Sequence, residues 1–275
     1  MASRTVSSQL AQAMKELRLG QLLPTLDERI ALANKQEMPI EDFLLTLFTD
    51  EVERRQGASA ARRADQAGLD PDMVFERWDK RAKVTYDRRL MQQMMSLRFI
   101  EAQRNVIVLG PVGVGKTFVA NALGHLACRS GFTVRFSRAD ALLRALRQSR
   151  LDNSREALVA DLCGPDLLII DDFALEPMNR EESRDTYQLI LERHARSSTI
   201  ITSNRDTSDW LACFDDPMLG QSAVDRFRNN AYDMVIDGES YRARLKPDAE
   251  ADGPPPSAPV VKQKTPIRKK RRPRH

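Results

Sequence analysis

Cysteine and long apolar runs are scarce in this sequence, and each scarcity excludes something. Three cysteines (Cys128, Cys163 and Cys213) stand far apart, odd in number and without any C-x-x-C pair. That pattern argues against a disulfide framework and against a zinc site, and it suits a reducing compartment. No apolar stretch approaches the ~20 residues that cross a bilayer. The opening residues, MASRTVSSQL, lack the apolar core of a signal peptide. The expectation is a soluble, cytoplasmic protein with no membrane partner. Net basic charge is also missing from most of the chain. The formal charge is +4, but eight Lys/Arg and no Asp or Glu fall between Lys262 and the C-terminus, so residues 1–261 are net acidic.

With 275 residues there is room for one good-sized domain and a smaller one. Residues 5–56 read as helices. Leu10, Met14 and Leu17 recur at helical spacing, as do Leu22, Leu23, Leu26 and Ile30. A third segment starts at Pro39, a favoured first helical position. It continues through Ile40, Phe43, Leu44, Leu47, Phe48, Glu51 and Val52, apolar along one face. Phe43, Leu44, Leu47 and Phe48 are expected in a core. The stretch from Gly57 to Gly68 is rich in Ala, Arg and Gly and weakly patterned, which places a boundary there.

From about residue 87 strands and helices alternate. Asn105–Leu109, Phe132–Phe136, Leu167–Ile170 and Thr199–Thr202 read as strands; Thr117–Cys128, Ala139–Gln148 and Glu181–Arg193 read as helices. Such alternation predicts an α/β domain with a mainly parallel sheet. The division expected is a helical N-terminal domain over 1–68, the α/β domain over 69–247, and a Pro-rich, basic and disordered tail over 248–275.

The chemistry is concentrated in three places. Gly110, Pro111, Val112, Gly113, Val114, Gly115, Lys116 and Thr117 satisfy G-x-x-x-x-G-K-[ST], between the strand NVIVL and a helix that continues through Phe118. Glycines let successive N–H groups point at phosphate oxygens, and the helix N-terminus favours negative charge. Lys116 can then reach the β- and γ-phosphates, and the Thr117 hydroxyl can ligate Mg²⁺. The run Leu167-Leu-Ile-Ile-Asp171-Asp172 is a buried strand ending in two acids, with Asp171 placed for Mg²⁺ and Asp172 for polarising water. Ile200-Ile-Thr-Ser203-Asn204 ends a β-run in an amide that can reach the γ-phosphate or the attacking water. An ordinary Asx-type turn remains the alternative there. Arg226 and Arg242 follow in Asp225-Arg226-Phe227-Arg228 and Glu239-Ser240-Tyr241-Arg242; each taken alone reads as a surface arginine.

Together GPVGVGKT, LLIIDDF, ITSN, AVDRF and GESYR resemble, in that order, the IstB/DnaC branch of the AAA+ ATPases, over roughly residues 70–245. The resemblance implies a P-loop AAA+ fold, ATP and Mg²⁺ as cofactors, and ATP hydrolysis. On it, Asn204 is sensor 1, Arg226 an arginine finger reaching a neighbouring subunit, and Arg242 the sensor-2 arginine. AAA+ proteins usually carry Glu where this chain has Asp172, one methylene shorter. Within the branch, the helical preface without a zinc pattern and the segment TSNRDTSDW are similar to IstB proteins. The resemblance therefore implies a helper of an insertion-sequence transposase, oligomerising on duplex DNA and influencing target-site choice. A DnaC-like helicase loader is the alternative, and a nucleotide switch with negligible hydrolysis is a third reading.

Weaker signals point towards nucleic acid. The tail's eight cations can release counterions from DNA, giving binding that weakens with salt by a log–log slope near −0.9 per contact; a basic extension without a role is the alternative. Arg54, Arg55, Arg62 and Arg63, and later Lys80, Arg81, Lys83, Arg88 and Arg89, are interleaved with acids and read first as solvated helix faces. Phe75 and Trp78 read as anchors of the linker before the α/β domain. His125 and His194 read as structural.

Overall fold

The computed structural model describes residues 6–79 and 81–241; Lys80, Arg242 and the basic tail lie outside the described residues. The chain opens with three helices, α1 (Ser8–Glu16), α2 (Leu23–Lys35) and α3 (Ile40–Ala67). Ser7 caps α1 by accepting from the Leu10 N–H, and Pro39 stands as the N-cap of α3, one position before its first helical residue. Met14, Leu22, Leu26 and Leu47 form a small apolar cluster of their own. Leu44 and Phe48, expected in a core, remain 41% and 47% exposed. The short helices α1 and α2 cover only one stripe of the much longer α3.

The weakly patterned stretch from Gly57 to Gly68 is the continuous second half of α3, ended by Gly68 at a left-handed φ of 76°. Its buried residues are alanines: Ala60, Ala64 and Ala67. Small side chains give little periodic signal in a sequence, yet they let α3 lie close against the later helix α6 (Lys116–Arg129). Ala64 and Ala67 belong to the main core, whereas Leu47 belongs to the N-terminal cluster. One helix therefore spans both regions. Arg54 and Arg55 both donate to the buried Glu51 carboxylate, and Arg63 donates to the Cys128 carbonyl, so three of that basic group are engaged within the chain.

The centre is a six-stranded sheet in the order β1-β6-β2-β5-β4-β3. Its strands are β1 (Val84–Tyr86), β2 (Asn105–Leu109), β3 (Val134–Arg138), β4 (Leu167–Asp171), β5 (Ser198–Ser203) and β6 (Ala231–Gly238). All pairings are parallel except β1 with β6. The mainly parallel α/β sheet expected from the alternation is thus present. Successive residues face opposite sides, which explains the apolar runs: Val106, Val108, Leu167, Ile169 and Ile200 pack into one core, and Ile107, Leu168, Ile170 and Ile201 into the other.

On the first side lie α3, α4 (Arg88–Met95), α5 (Arg98–Glu101) and α6. On the second lie α7 (Ala139–Leu151), α8 (Arg155–Cys163), α9 (Arg180–Arg193) and α10 (Pro217–Asn229). Asn179 and Glu182 form a capping box on α9, and Asp216 caps α10 ahead of Pro217. Among the described residues no helix is long and apolar enough to cross a membrane.

Candidate nucleotide-binding site

The site sits at the C-terminal ends of β2, β4 and β5, where a parallel sheet directs its loops towards a ligand. Gly110 leaves β2 with φ 153°, and a β-carbon there would lie 1.9 Å from the Ile236 carbonyl oxygen. Gly113 has φ 88°, and a β-carbon there would meet Ser240 Oγ at 2.0 Å. At both positions only glycine fits, so the end of β6 and the Ser240 segment press directly on the loop. The Tyr241 N–H donates to the Gly113 carbonyl at 2.8 Å and holds that segment in place. α6 begins immediately after the loop with Gly115 as its N-cap, a residue with no side-chain acceptor to satisfy the helix's first N–H groups.

Lys116 is buried, and its Nζ donates to the Pro111 carbonyl at 2.8 Å. The Thr117 hydroxyl donates to Asp171 Oδ2 at 3.0 Å, joining the start of α6 to the end of β4. Thr202 on β5 donates to the other oxygen, Asp171 Oδ1, at 2.6 Å. Asp171 is 3% exposed. Burial pushes its carboxyl up from the ordinary carboxylate range, and the Asp172 charge adds to this, while the Thr202 and Thr117 hydroxyls pull it back. A carboxylate and a hydroxyl side by side are the hard oxygen donors Mg²⁺ selects, so Thr117 and Asp171 fit that ion.

Asp172 turns away from the strand with φ 56°, its N–H bonded to Thr202 Oγ1 at 3.0 Å. Its carboxylate reaches the site and pairs with Arg138 Nη2 at 3.3 Å. Asn204, just past β5, follows Ser203, whose hydroxyl donates to the Phe173 carbonyl and accepts from the buried Trp210 indole N–H. The loops after β4 and β5 are thereby tied together.

These groups border a cavity of ≈ 500 Å³, lined by the loop from Val112 to Phe118, by Asp172 and Asn204, by Met73 and Trp78 from the segment before β1, and by Val84 at the start of β1. Trp78 packs edge-on to Phe118, ring centroids 5.2 Å apart. Of the sequence-derived candidates, the fold brings together Lys116, Thr117, Phe118, Asp171, Asp172 and Asn204. It does not bring in Arg226, which lies on α10 over the Tyr187 ring at 5.6 Å. Arg242 falls outside the described residues.

Two participants were not anticipated. Trp78, read as a linker anchor, forms a wall of the cavity; its signal was an aromatic residue near the α/β boundary, without a hint of direction. Arg138 had no sequence signal, because its partner is set by the β3–β4 register that pairs Arg138 with Asp171.

Comparison with known proteins gives consistent results. The family model described as "IstB-like ATP binding protein" matches residues 12–249. A protein of Mycobacterium tuberculosis, named as an inferred ATP-binding protein in an insertion sequence, is 35% identical over 86% of this chain and 95% of its own length. The inferred ATP-binding protein of insertion sequence IS21 from Pseudomonas aeruginosa is 32% identical over 86% of this chain and 90% of its own. Among solved structures, that of DnaI superimposes with a TM-score of 0.52 at 18% identity, covering 59% of this chain and 90% of that one, a likeness of fold.

Proposed function

The chain belongs to the family of IstB-like ATP-binding proteins, and from that membership we propose that it is an ATP-hydrolysing AAA+ helper of an insertion-sequence transposase. In this reading it assembles on duplex DNA and biases the choice of target site. The observation that carries the enzymatic half is the Thr117–Asp171 contact beside a cavity that also holds Lys116, Asp172 and Asn204. The transposase half is supported by the insertion-sequence names of its relatives.

The phosphates lie along the N–H groups of the 110–117 loop and the start of α6, with Lys116 turning from the Pro111 carbonyl to the β- and γ-oxygens. Thr117 and Asp171 would hold Mg²⁺, which would supply positive charge against the phosphate oxygens. Asp172 accepts a hydrogen bond from the attacking water and aligns it with the γ-phosphorus, while the Asn204 amide steadies that water or a γ-oxygen. Trp78, Met73 and Val84 enclose the base. Arg226, outside its own chain's cavity, reaches the nucleotide of a neighbouring copy, and Arg242 serves as a second cation on the phosphates. Hydrolysis then requires assembly, with the ATP sites shared between subunits.

The test is ATPase rate with and without duplex DNA, together with particle size in ATP and in ADP. Stimulation by DNA with ATP-dependent assembly is expected. A flat rate from a monomer that ignores DNA would redirect the reading to a helicase loader or a switch awaiting a protein partner.

A further inference from the structure

We propose that Thr202 is a positioning residue for hydrolysis, one buried hydroxyl that fixes the Asp171 carboxylate and the Asp172 backbone at the same time. Thr202 lies near the end of β5, the strand between β2 and β4, and is fully buried. The β4–β5 register pairs Ile170 with Ile201, so Thr202 is the next residue and stands beside the acids. A threonine hydroxyl has one proton and two acceptor positions. Here the proton goes to Asp171 Oδ1 at 2.6 Å, and the oxygen accepts the Asp172 N–H at 3.0 Å. A single oxygen thus links both acids to the sensor strand.

The two bonds do different things. Asp171 presents Oδ2 to Thr117, the residue read above as its fellow Mg²⁺ ligand, and Thr202 holds the far oxygen, Oδ1. Thr117 and Asp171 would hold the metal, and Thr202 keeps the carboxylate oriented through its bond to Oδ1. Asp172 has φ 56°, the left-handed region, which aspartate tolerates better than most residues with a β-carbon. The Thr202 hydroxyl holds the N–H in that turn, and the turn directs the Asp172 side chain out of the strand line into the cavity it lines. Removing the hydroxyl leaves the main-chain path supported, because the Phe173 N–H still donates to the Thr202 carbonyl at 2.8 Å.

The inference rests on Asp171 being a Mg²⁺ ligand, and the experiment separates the two. Wild type, Thr202→Val and Thr202→Ser are compared for ATP affinity in EDTA and in Mg²⁺, by titration with a fluorescent ATP analogue, and for hydrolysis against Mg²⁺ concentration. Thr202→Val is expected to bind nucleotide in EDTA as wild type does. Its gain in affinity from Mg²⁺ should fall by ~10-fold and its kcat by ~10–100-fold, the usual cost of losing a group that orients a metal ligand. Thr202→Ser, which keeps the hydroxyl, should stay near wild type on both. A Val variant with wild-type Mg²⁺ response and kcat overturns the inference, and so does a Ser variant as impaired as Val, since methyl packing would then be the cause. A wild-type protein whose ATP affinity ignores Mg²⁺ overturns the metal site itself and the inference with it. Amide exchange on the wild type supplies a check independent of any variant's folding: the Asp172 N–H should exchange slowly, and fast exchange overturns the bond.

Discussion

Thr117 Oγ1 and Asp171 Oδ2, 54 positions apart in sequence, lie 3.0 Å apart in the fold. The phosphate loop and the acid strand therefore meet at one point, and substitutions on either side of it should separate binding from metal response. Lys116→Ala should weaken ATP binding by ~100-fold, the scale of losing charge-assisted hydrogen bonds to phosphate. Asp171→Asn should retain most affinity in EDTA while losing the gain that Mg²⁺ brings. Calorimetric titration with and without Mg²⁺ checks both, and wild-type affinity in Lys116→Ala would remove the phosphate-loop assignment.

Arg226 stacks on Tyr187 of its own chain and stays out of its own cavity. Arg226→Ala is expected to bind ATP normally and to lose ~10³-fold or more in hydrolysis, as arginine fingers do. Asp172→Asn should behave similarly. Mixing the two inactive variants places an intact Arg226 against an intact Asp172 at some interfaces and should restore part of the rate. No restoration would argue for action within one chain.

Trp78 faces the cavity, whereas Trp210, the other tryptophan, is 1% exposed. Nucleotide should therefore change emission from Trp78 alone. Trp78→Ala should abolish that change and weaken ATP binding by ~10-fold, the scale of a lost aromatic contact. Persistence of the signal in Trp78→Ala would assign it to Trp210 and a wider rearrangement.

Glu51 is held low, to about 2 from an ordinary 4.5, chiefly by hydrogen bonds from Arg54, joined by Arg55. A folded-state value below the unfolded one adds stability above about 4.5, and that stability is lost as pH falls through the folded value. Glu51→Gln should lower the melting temperature at neutral pH, and the gap from wild type should close as pH is taken from 4.5 towards 2. A gap that is constant with pH would assign the effect to packing.

Removing residues 248–275 should flatten the salt dependence of duplex DNA binding without lowering the melting temperature. If all eight tail cations contact phosphate, the log–log slope changes by about 7. An unchanged slope would assign DNA contact to the folded part of the chain.

The glycine loop and the strand ends that border the cavity were legible because their signals are local. The glycines at 110 and 113 and the Lys-Thr pair are demanded by a loop that must turn sharply and lead into a helix, and the four strands named from sequence are all present. Where signals are small or shared, reading fails. The alanines of α3 hid its second half, and Leu44 and Phe48 looked like core although the N-terminal cluster takes only Phe43 and Leu47 from those turns of α3. The strand β6 buries only Met234 and Ile236, between exposed Asp233, Val235 and Asp237, and with an apolar residue on both faces the alternation is weak.

The sequence by itself determined the glycine loop, the acid-ended strand and the alternation that makes a parallel sheet, since each depends on residues adjacent in the chain. Only the tertiary structure decided that β5 lies between β2 and β4, which places Thr202 against Asp171 and Asp172, that β3 pairs with β4, which brings Arg138 to Asp172, and that the segment before β1 sets Trp78 against Phe118. Strand order is a long-range choice: every apolar strand here could pair with several others, and the packing of helices on both faces selects one arrangement.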